Sequence, residues 1–312
     1  MREGNSSLVY WKGNMKVIKP ITFTTSMIVS STATETTANY NAATTYAKDA
    51  EVNYDNSIYV SLQANNTGKT PGATGSETWW IRKSANNIYA MFDEYVNTQT
   101  TSGSPLVLVL KPLQRINSIA LINLSLATSV SVKMQDGTGG LTVYDKTFDL
   151  DGTIITDWYQ YFFQPFNLNS QLILTDLPPY SDPVITITVS SGGSVSVGNC
   201  VLGTFYNLGL TQYGANSGIR DYSTKEANSF GITTLVQRAY SKRMDANMFV
   251  PKENIRTVQR VLEELRAVPA VWIGSDDVDY EMLTVYGYYR DFNIEINYPS
   301  YSLCRLEIEG LI

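Results

Sequence analysis

The chain has 312 residues, 23 Lys and Arg against 29 Asp and Glu, a net charge of −6 and no histidine. That length is enough for at least one full core and accommodates roughly two or three structural units. The missing histidine excludes Ser–His–Asp and Cys–His nucleophile arrangements and removes the commonest zinc and iron ligand. The acidic balance, with no Lys/Arg run, excludes the electrostatic footprint of a nucleic-acid binder.

Aromatic residues make up 12% of the chain, 21 of them tyrosine, and such a Tyr-, Thr- and Asn-rich composition favours β-sheets and wet polar interfaces. Cys200 and Cys304 lie far apart and form no disulfide framework, so free, partly buried thiols are expected. The opening residues MREGNSSLVYWKGNMKV contain no apolar core of signal-peptide length. No run approaches the ~20 apolar residues that span a bilayer. Assembly in a cytosol without membrane insertion is the corresponding expectation.

In chain order, residues 1–37 read as an N-terminal arm and linker. Pro20 separates Val17-Ile18 from Ile21-Thr22-Phe23, which argues for an edge or tether, and Ser30–Thr37 is a Ser/Thr-rich link. Residues 38–84 read as a small aromatic β module. Tyr40, Tyr46, Tyr54 and Tyr59 recur, Asp55-Asn56-Ser57 supplies a hairpin turn, and the pair Trp79–Trp80 closes a polar loop. Successive side chains on a strand alternate faces, so only one of Trp79 and Trp80 is expected to face inward.

Residues 85–212 read as serial short strands: Ile88–Phe92, Leu106–Leu110, Ile116–Ile122, Val130–Met134, Leu141–Phe148, Gln160–Phe166, Gln171–Leu174, Val184–Val189 and Cys200–Tyr206. Turn residues separate most of them, a spacing that predicts an antiparallel β-sandwich or jelly roll. Residues 213–312 form a C-terminal β-rich assembly region. It holds one amphipathic helix over 252–268, with Ile255, Val258, Leu262 and Leu265 on one stripe and Pro269 as its stop. Strands follow at Ala270–Ile273, Met282–Tyr298 and Leu303–Ile308. The fold class expected is therefore mainly β: a sandwich or jelly roll with a small aromatic module and one C-terminal helix.

Few residue clusters carry chemistry. Phe148-Asp149-Leu150-Asp151-Gly152-Thr153-Ile154 resembles the first motif of haloacid-dehalogenase-like phosphatases. That resemblance implies a nucleophilic Asp149, a general acid Asp151, Ser275-Asp276-Asp277 at a metal and Lys242 as a charge-neutralising group. Such chemistry needs a parallel α/β sheet with carboxylates gathered at strand ends, whereas the neighbouring segments read as short strands and Asp-Gly as a turn. The acidic cluster Asp276, Asp277, Asp279 and Glu281 lacks a calcium-loop glycine and reads as a solvated turn. No catalytic residue, metal ligand or cofactor is assigned. Apolar residues on both faces of Trp158-Tyr159-Gln160-Tyr161-Phe162-Phe163 and of Tyr286-Gly287-Tyr288-Tyr289 mark burial between layers or against another subunit. Trp158, Tyr159, Tyr286, Tyr288 and Tyr289 are the expected subunit-interface residues.

The aromatic skeleton Tyr40, Thr45-Tyr46, Val52, Tyr59, Pro71 and Trp79 resembles the chitin-binding type 3 module of carbohydrate-binding families 5 and 12. The family's Gly-Asp before the valine is replaced by Asp49-Ala50-Glu51. The resemblance implies a small β fold and sugar contact through Tyr54, Tyr59, Trp79 and Trp80. Met91-Phe92-Asp93, Ile116–Leu121 and Val197–Gly203 resemble a galactose-binding-like jelly roll. The domain order is similar to that of structural proteins of tailed bacteriophages. So are the segments Thr156-Asp157-Trp158-Tyr159, Asp176–Tyr180, Asp221-Tyr222-Ser223 and Leu306–Leu311. This implies a non-enzymatic virion protein of the distal tail or baseplate, assembling as a homo-oligomeric ring with other tail or neck proteins and touching a host-surface glycan. A head-to-tail neck or collar component is the second reading, and a carboxylate-based Mg²⁺-dependent phosphatase or a glycan hydrolase is the third.

Overall fold

The computed structural model describes residues 13–153, 157–163, 168–227, 229–276, 278–296 and 298–311, and in it the chain is mainly β, as the composition indicates. The described chain opens with β1 (Asn14–Pro20) and β2 (Ile28–Ser31). β1 is not the edge or tether expected but an interior strand, paired on one side with residues 203–210 and on the other with 271–273. Pro20 falls at its last position, and Met15, Val17 and Ile18 are buried. The aromatic module supplies β3 (Glu51–Tyr54), β4 (Ser57–Ser61) and β5 (Trp80–Ala85). Then come β6 (Thr100–Gly103), β7 (Leu106–Leu110), β8 (Ser118–Ser125), β9 (Ser129–Asp136) and β10 (Thr142–Asp149). A short helix α1 (Trp158–Phe163) precedes β11 (Gln171–Leu174), β12 (Pro183–Ser190) and the long β13 (Ser194–Thr211). β14 (Asn216–Asp221), β15 (Thr224–Ala227), β16 (Thr233–Val236) and β17 (Tyr240–Pro251) lead to α2 (Ile255–Glu264). β18 (Ala270–Ile273), β19 (Thr284–Glu295) and β20 (Tyr301–Gly310) end the chain's regular structure.

Two compact units emerge, Ile21–Leu202 and Met1–Pro20 with Gly203–Ile312, so β13 divides between them at Leu202/Gly203. Ile21–Leu202 holds a sandwich. One layer is the antiparallel sheet β10-β9-β12-β7-β2, the other contains β11, β8, the first half of β13 and β6. Strict alternation drives this packing: Leu106, Leu108 and Leu110 of β7, Val130, Val132 and Met134 of β9, and Ile185, Ile187 and Val189 of β12 all point inward. Ile119, Leu121, Leu174, Val195 and Val197 meet them from the other layer, the face-to-face arrangement of a β-sandwich.

The same unit carries the three-stranded module β3-β4-β5. Tyr54 pairs with Ser57 across Asp55-Asn56, both at positive φ (45° and 59°). That is the two-residue type I′ loop whose twist matches the strands it joins.

The other unit is a closed barrel. Its strands run in the order β13, β1, β18, β19, β20, β17, and closure comes where Leu210 and Thr211 pair with Phe249 and Met248. Gly209 stands at this seam with φ 149°, and a Cβ there would lie 2.3 Å from the Phe249 carbonyl oxygen. Only glycine lets the two backbones approach so closely. Met15, Val17, Met244, Met248, Trp272, Val285, Cys304 and Leu306 fill the core. α2 adds Val258, Val261, Leu262 and Leu265 to it. The apolar stripe is as read from the sequence; the helix is shorter because Asn254 donates back to Pro251 in a turn and Ala267 adopts φ 58° before Pro269.

Two expected strands are helical instead. Ile88–Phe92 is not a strand: Ala90–Phe92 forms a 3₁₀ turn, because the N–H groups of Tyr89 and Ala90 return to the Asn86 carbonyl and Phe92 stacks on Phe23 at 4.1 Å. Gln160–Phe166 is replaced by α1 as far as Phe163, the remainder lying outside the described residues. Trp158 stacks on Phe162 and Tyr159 packs on Phe163, pairs spaced i to i+4, so these aromatics satisfy one another along a helix rather than across a strand.

Candidate functional site

The four residues expected to touch sugar do not form one platform. Trp80 faces inward at 4% exposure, donates its indole N–H to the Lys69 carbonyl at 2.6 Å and packs edge-on against Tyr40 and Tyr46. It is a core residue, which corrects its assignment to a contact surface. Trp79, one position earlier and on the opposite face, is half-buried with the Lys69 ammonium 5.8 Å from its ring centre. Tyr59 is half-buried under the polar loop, where a Cβ at Gly72 would stand 2.9 Å from its hydroxyl. Tyr54 is exposed at the hairpin end, edge-on to Tyr40 at 5.6 Å. Tyr54 pairs with Ser57 and Trp80 with Ser61, so Tyr54 and Trp79 flank opposite ends of β4, roughly 13 Å apart along the strand.

A polar clamp closes the base of this module. Glu35 accepts the N–H of Thr37 at 2.6 Å and of Asn87 at 2.7 Å. The Asn87 side chain donates to the carbonyls of Thr34 and Thr101 and accepts from the Thr101 N–H. Burial pushes the Glu35 carboxyl up, but the N–H donors of Asn87 and Thr37 outweigh it and leave the group below its usual range. Entry and exit of the module are therefore tied to each other and to β6.

The five expected interface aromatics fall into separate patches. Tyr286 and Tyr288 lie half-buried on the outer face of β19. Tyr289 turns inward, edge-on to Trp272 at 6.1 Å and Phe292 at 5.5 Å, ahead of a bulge between Tyr289 and Asp291. Tyr289 thus belongs to the barrel interior, a correction that follows from strand alternation. Trp158 and Tyr159 belong to α1 in the other unit, at 79% and 73% exposure.

Sequence reasoning missed two features of the barrel unit. The first is a groove of about 430 Å³ on the outer sheet face, lined by Arg220, Arg243, Asp245, Arg290, Glu307 and Glu309. Arg220 pairs with Glu309 at 2.9 Å and Arg305 with Glu307 at 2.8 Å. These charges sit on four strands, β14, β17, β19 and β20, so only the strand register reveals that they converge. The second is the hairpin β15–β16, whose strands pair only with each other among the described residues. It extends the β14–β17 pair through bonds from Tyr222 N–H to the Ala239 carbonyl and from Arg238 N–H to the Ser223 hydroxyl. The signal in the sequence was Phe230, Ile232, Leu235 and Val236 set among polar residues, all four exposed.

The carboxylates of the phosphatase-like motif sit at the end of an edge strand. Asp149 accepts the Asp151 N–H and Asp151 accepts the Thr153 N–H, two successive side-chain turns. Every ladder in the sheet holding Asp149 is antiparallel, so carboxylates gathered at parallel strand ends are not built there. Ile154 lies outside the described residues, as does Asp277 of the acidic cluster. Asp276 is tied to Lys16 at 2.6 Å and to Asn14 at 2.9 Å. Among the described residues no group of three or more His, Cys, Asp or Glu is placed to hold a metal, and no helix is long and apolar enough to cross a membrane. Cys200 and Cys304 are free and buried, and burial pushes both thiols up to about 12.

Comparison with protein-family models, with curated proteins and with solved structures returns no match to this chain.

Proposed function

We propose that this chain is a structural protein of a tailed-bacteriophage virion, placed at the distal tail or baseplate. In this reading it assembles with copies of itself into a ring and presents the small aromatic module to host-surface glycans. The placement in a tail rests on the resemblance of the segments around Trp158, Asp176–Tyr180, Asp221–Ser223 and Leu306–Leu311.

The assembly part rests on the β15–β16 hairpin. An isolated two-stranded hairpin is marginal in water, and this one carries Leu235 and Val236 at 70% and 48% exposure. Packing of that hairpin onto a different surface of the next copy is a heterologous contact, the kind that generates rings when its rotation closes. The outer face of β19, with Tyr286 and Tyr288, is the receiving surface in this reading. Tyr54, exposed, and Trp79, half-buried and facing outward one position before β5, are the residues through which the module contacts sugar, because aromatic faces open to solvent stack on pyranose rings.

The test is the mass of the purified full-length chain by light scattering, together with negative-stain images. Closed rings are expected, reduced to monomers by Leu235→Asp with Val236→Asp. A chain that stays monomeric across the accessible concentration range sinks the assembly reading. Antibody labelling of intact particles then reports its position. Retention on chitin or on a glycan array, lost in Trp79→Ala, tests the sugar contact; absence of retention removes that part of the proposal and leaves the ring standing.

A further inference from the structure

We propose that the mixed-charge groove on the outer face of the barrel seats the β15–β16 hairpin of a second copy, entered by the hairpin face that carries Glu226 and Val236. The inference rests on the ring reading above and supplies its register: which groups meet, and which face of the hairpin is covered. The charges of the groove are not all paired. Arg220 holds Glu309 and Arg305 holds Glu307. Arg243, Arg290 and Asp245 have no ion-pair partner among the described residues. Two guanidinium groups against one carboxylate leave a positive excess in a space of about 430 Å³. Arg243 and Tyr288 both stand opposite Glu309 in one cross-strand row, so that excess adjoins the tyrosine that receives the hairpin.

The hairpin has the complementary face. Its register sets Thr224 opposite Val236 and Glu226 opposite Thr234, so Glu226 and Val236 share one face, and Lys225 and Leu235 the other. Glu226 is exposed and has no ion-pair partner among the described residues, whereas Lys225 is held by Asp221 at 3.2 Å. The Glu226 face therefore meets the guanidinium groups with a carboxylate they bind directionally, and it brings Val236 against Tyr288. The opposite face would set a further cation on the positive excess. The hairpin carries the β14–β17 ladder onward past Asp221 and Tyr240, through Tyr222 N–H to the Ala239 carbonyl. It runs away from the groove of its own chain, so the occupant is another copy. Asp245, Glu307 and Glu309 line the same groove, which repels a small polyanion but admits a strand bringing one carboxylate among neutral threonines. Charges placed in this way fix the register of an interface and exclude the wrong face.

The experiment is light scattering of the full-length chain over a concentration series at low and high salt, with a thermal melt of each variant to check folding. Glu226→Arg is expected to raise the concentration needed for assembly at least ~10-fold. Arg243→Glu with Arg290→Glu has the same effect, and the three substitutions together restore assembly. Val236→Asp weakens assembly likewise, while Lys225→Glu and Leu235→Asp, each alone and on the opposite face, leave it within about 3-fold. Rings that are lost in Leu235→Asp with Val236→Asp but unchanged by Glu226→Arg keep the ring reading and overturn the groove as its seat. Failure of the triple variant to recover also overturns the pairing. A chain that is monomeric at every concentration sinks the ring reading and this inference with it. Inorganic phosphate that binds in calorimetry and is lost in Arg243→Glu with Arg290→Glu, while assembly ignores both charge reversals, overturns the proposal and assigns the groove to a small anion.

Discussion

Removing the Asn87 side chain tests whether the small module is held by its base. Asn87→Ala deletes the bonds to the Thr34 and Thr101 carbonyls, at 2.8 and 2.7 Å, and the acceptor for the Thr101 N–H at 2.8 Å. Each is worth roughly 0.5–1.5 kcal/mol net, with the lower end applying where water can replace the lost partner. Asn87 is only half-buried, so the expected cost is about 2 kcal/mol, a ~30-fold rise in local opening. Amide hydrogen exchange reads this directly: Thr37, Asn87 and Thr101 are expected to exchange about 30-fold faster while the β9 and β12 amides keep their rates. The Glu35 arm of the clamp adds a pH dependence. Its folded carboxyl lies below its ordinary value, so its contribution is fully present above the unfolded carboxylate range and is lost as pH falls through the lower, folded value. The protection factors of Thr37 and Asn87, taken relative to the intrinsic exchange rate at each pH, therefore fall on acidification ahead of those of the sandwich core. Unchanged exchange at Thr101 in Asn87→Ala, or a uniform acceleration over the whole unit, refutes the clamp.

Three further outcomes separate core from surface. Trp80→Ala is expected to cost about 3–5 kcal/mol and unfold the module, whereas Trp79→Ala leaves its melting within error; equal effects in a thermal melt contradict the assigned faces. Trp272→Phe strands the Gly287 carbonyl that its indole N–H bonds at 3.0 Å and leaves a small cavity, for about 2–3 kcal/mol in denaturant titration of the barrel unit. Cys200 and Cys304, buried and with their thiols pushed up to about 12, are expected to resist iodoacetamide at pH 8 and to react on unfolding; fast native labelling at either one contradicts the burial.

What the sequence made legible follows from period. Alternation in β7, β9 and β12 and the i, i+3, i+7 stripe of α2 are properties of single segments, and both are where the pattern put them. The Asp55-Asn56 turn is legible for the same reason, since residues tolerant of positive φ separate two short alternating runs. The failures each have a local cause. Trp158–Phe163 has rings at successive positions, which satisfies neither period, and only the i to i+4 stacking decides for a helix. Ile88–Phe92 looks apolar enough for a strand, but Asn86 captures its N–H groups first.

The site residues divide along the same line. Whether Trp79 or Trp80 faces inward depends on the register of β5 against β4, and the groove of Arg220, Arg243 and Arg290 exists only once β14, β17, β20 and β19 are aligned. Barrel closure is the extreme case. Leu210 pairs with Phe249 across more than thirty residues of intervening hairpin, and the one local trace of that seam is Gly209, where any side chain would collide with the opposite backbone. Closure there is confined to two residue pairs of β13, Leu210 with Phe249 and Thr211 with Met248. Among the described residues β14 pairs only with β17 and leaves an open strand edge beside the hairpin; a ring joined through that edge would survive Leu235→Asp with Val236→Asp, whereas a ring joined through the hairpin would not.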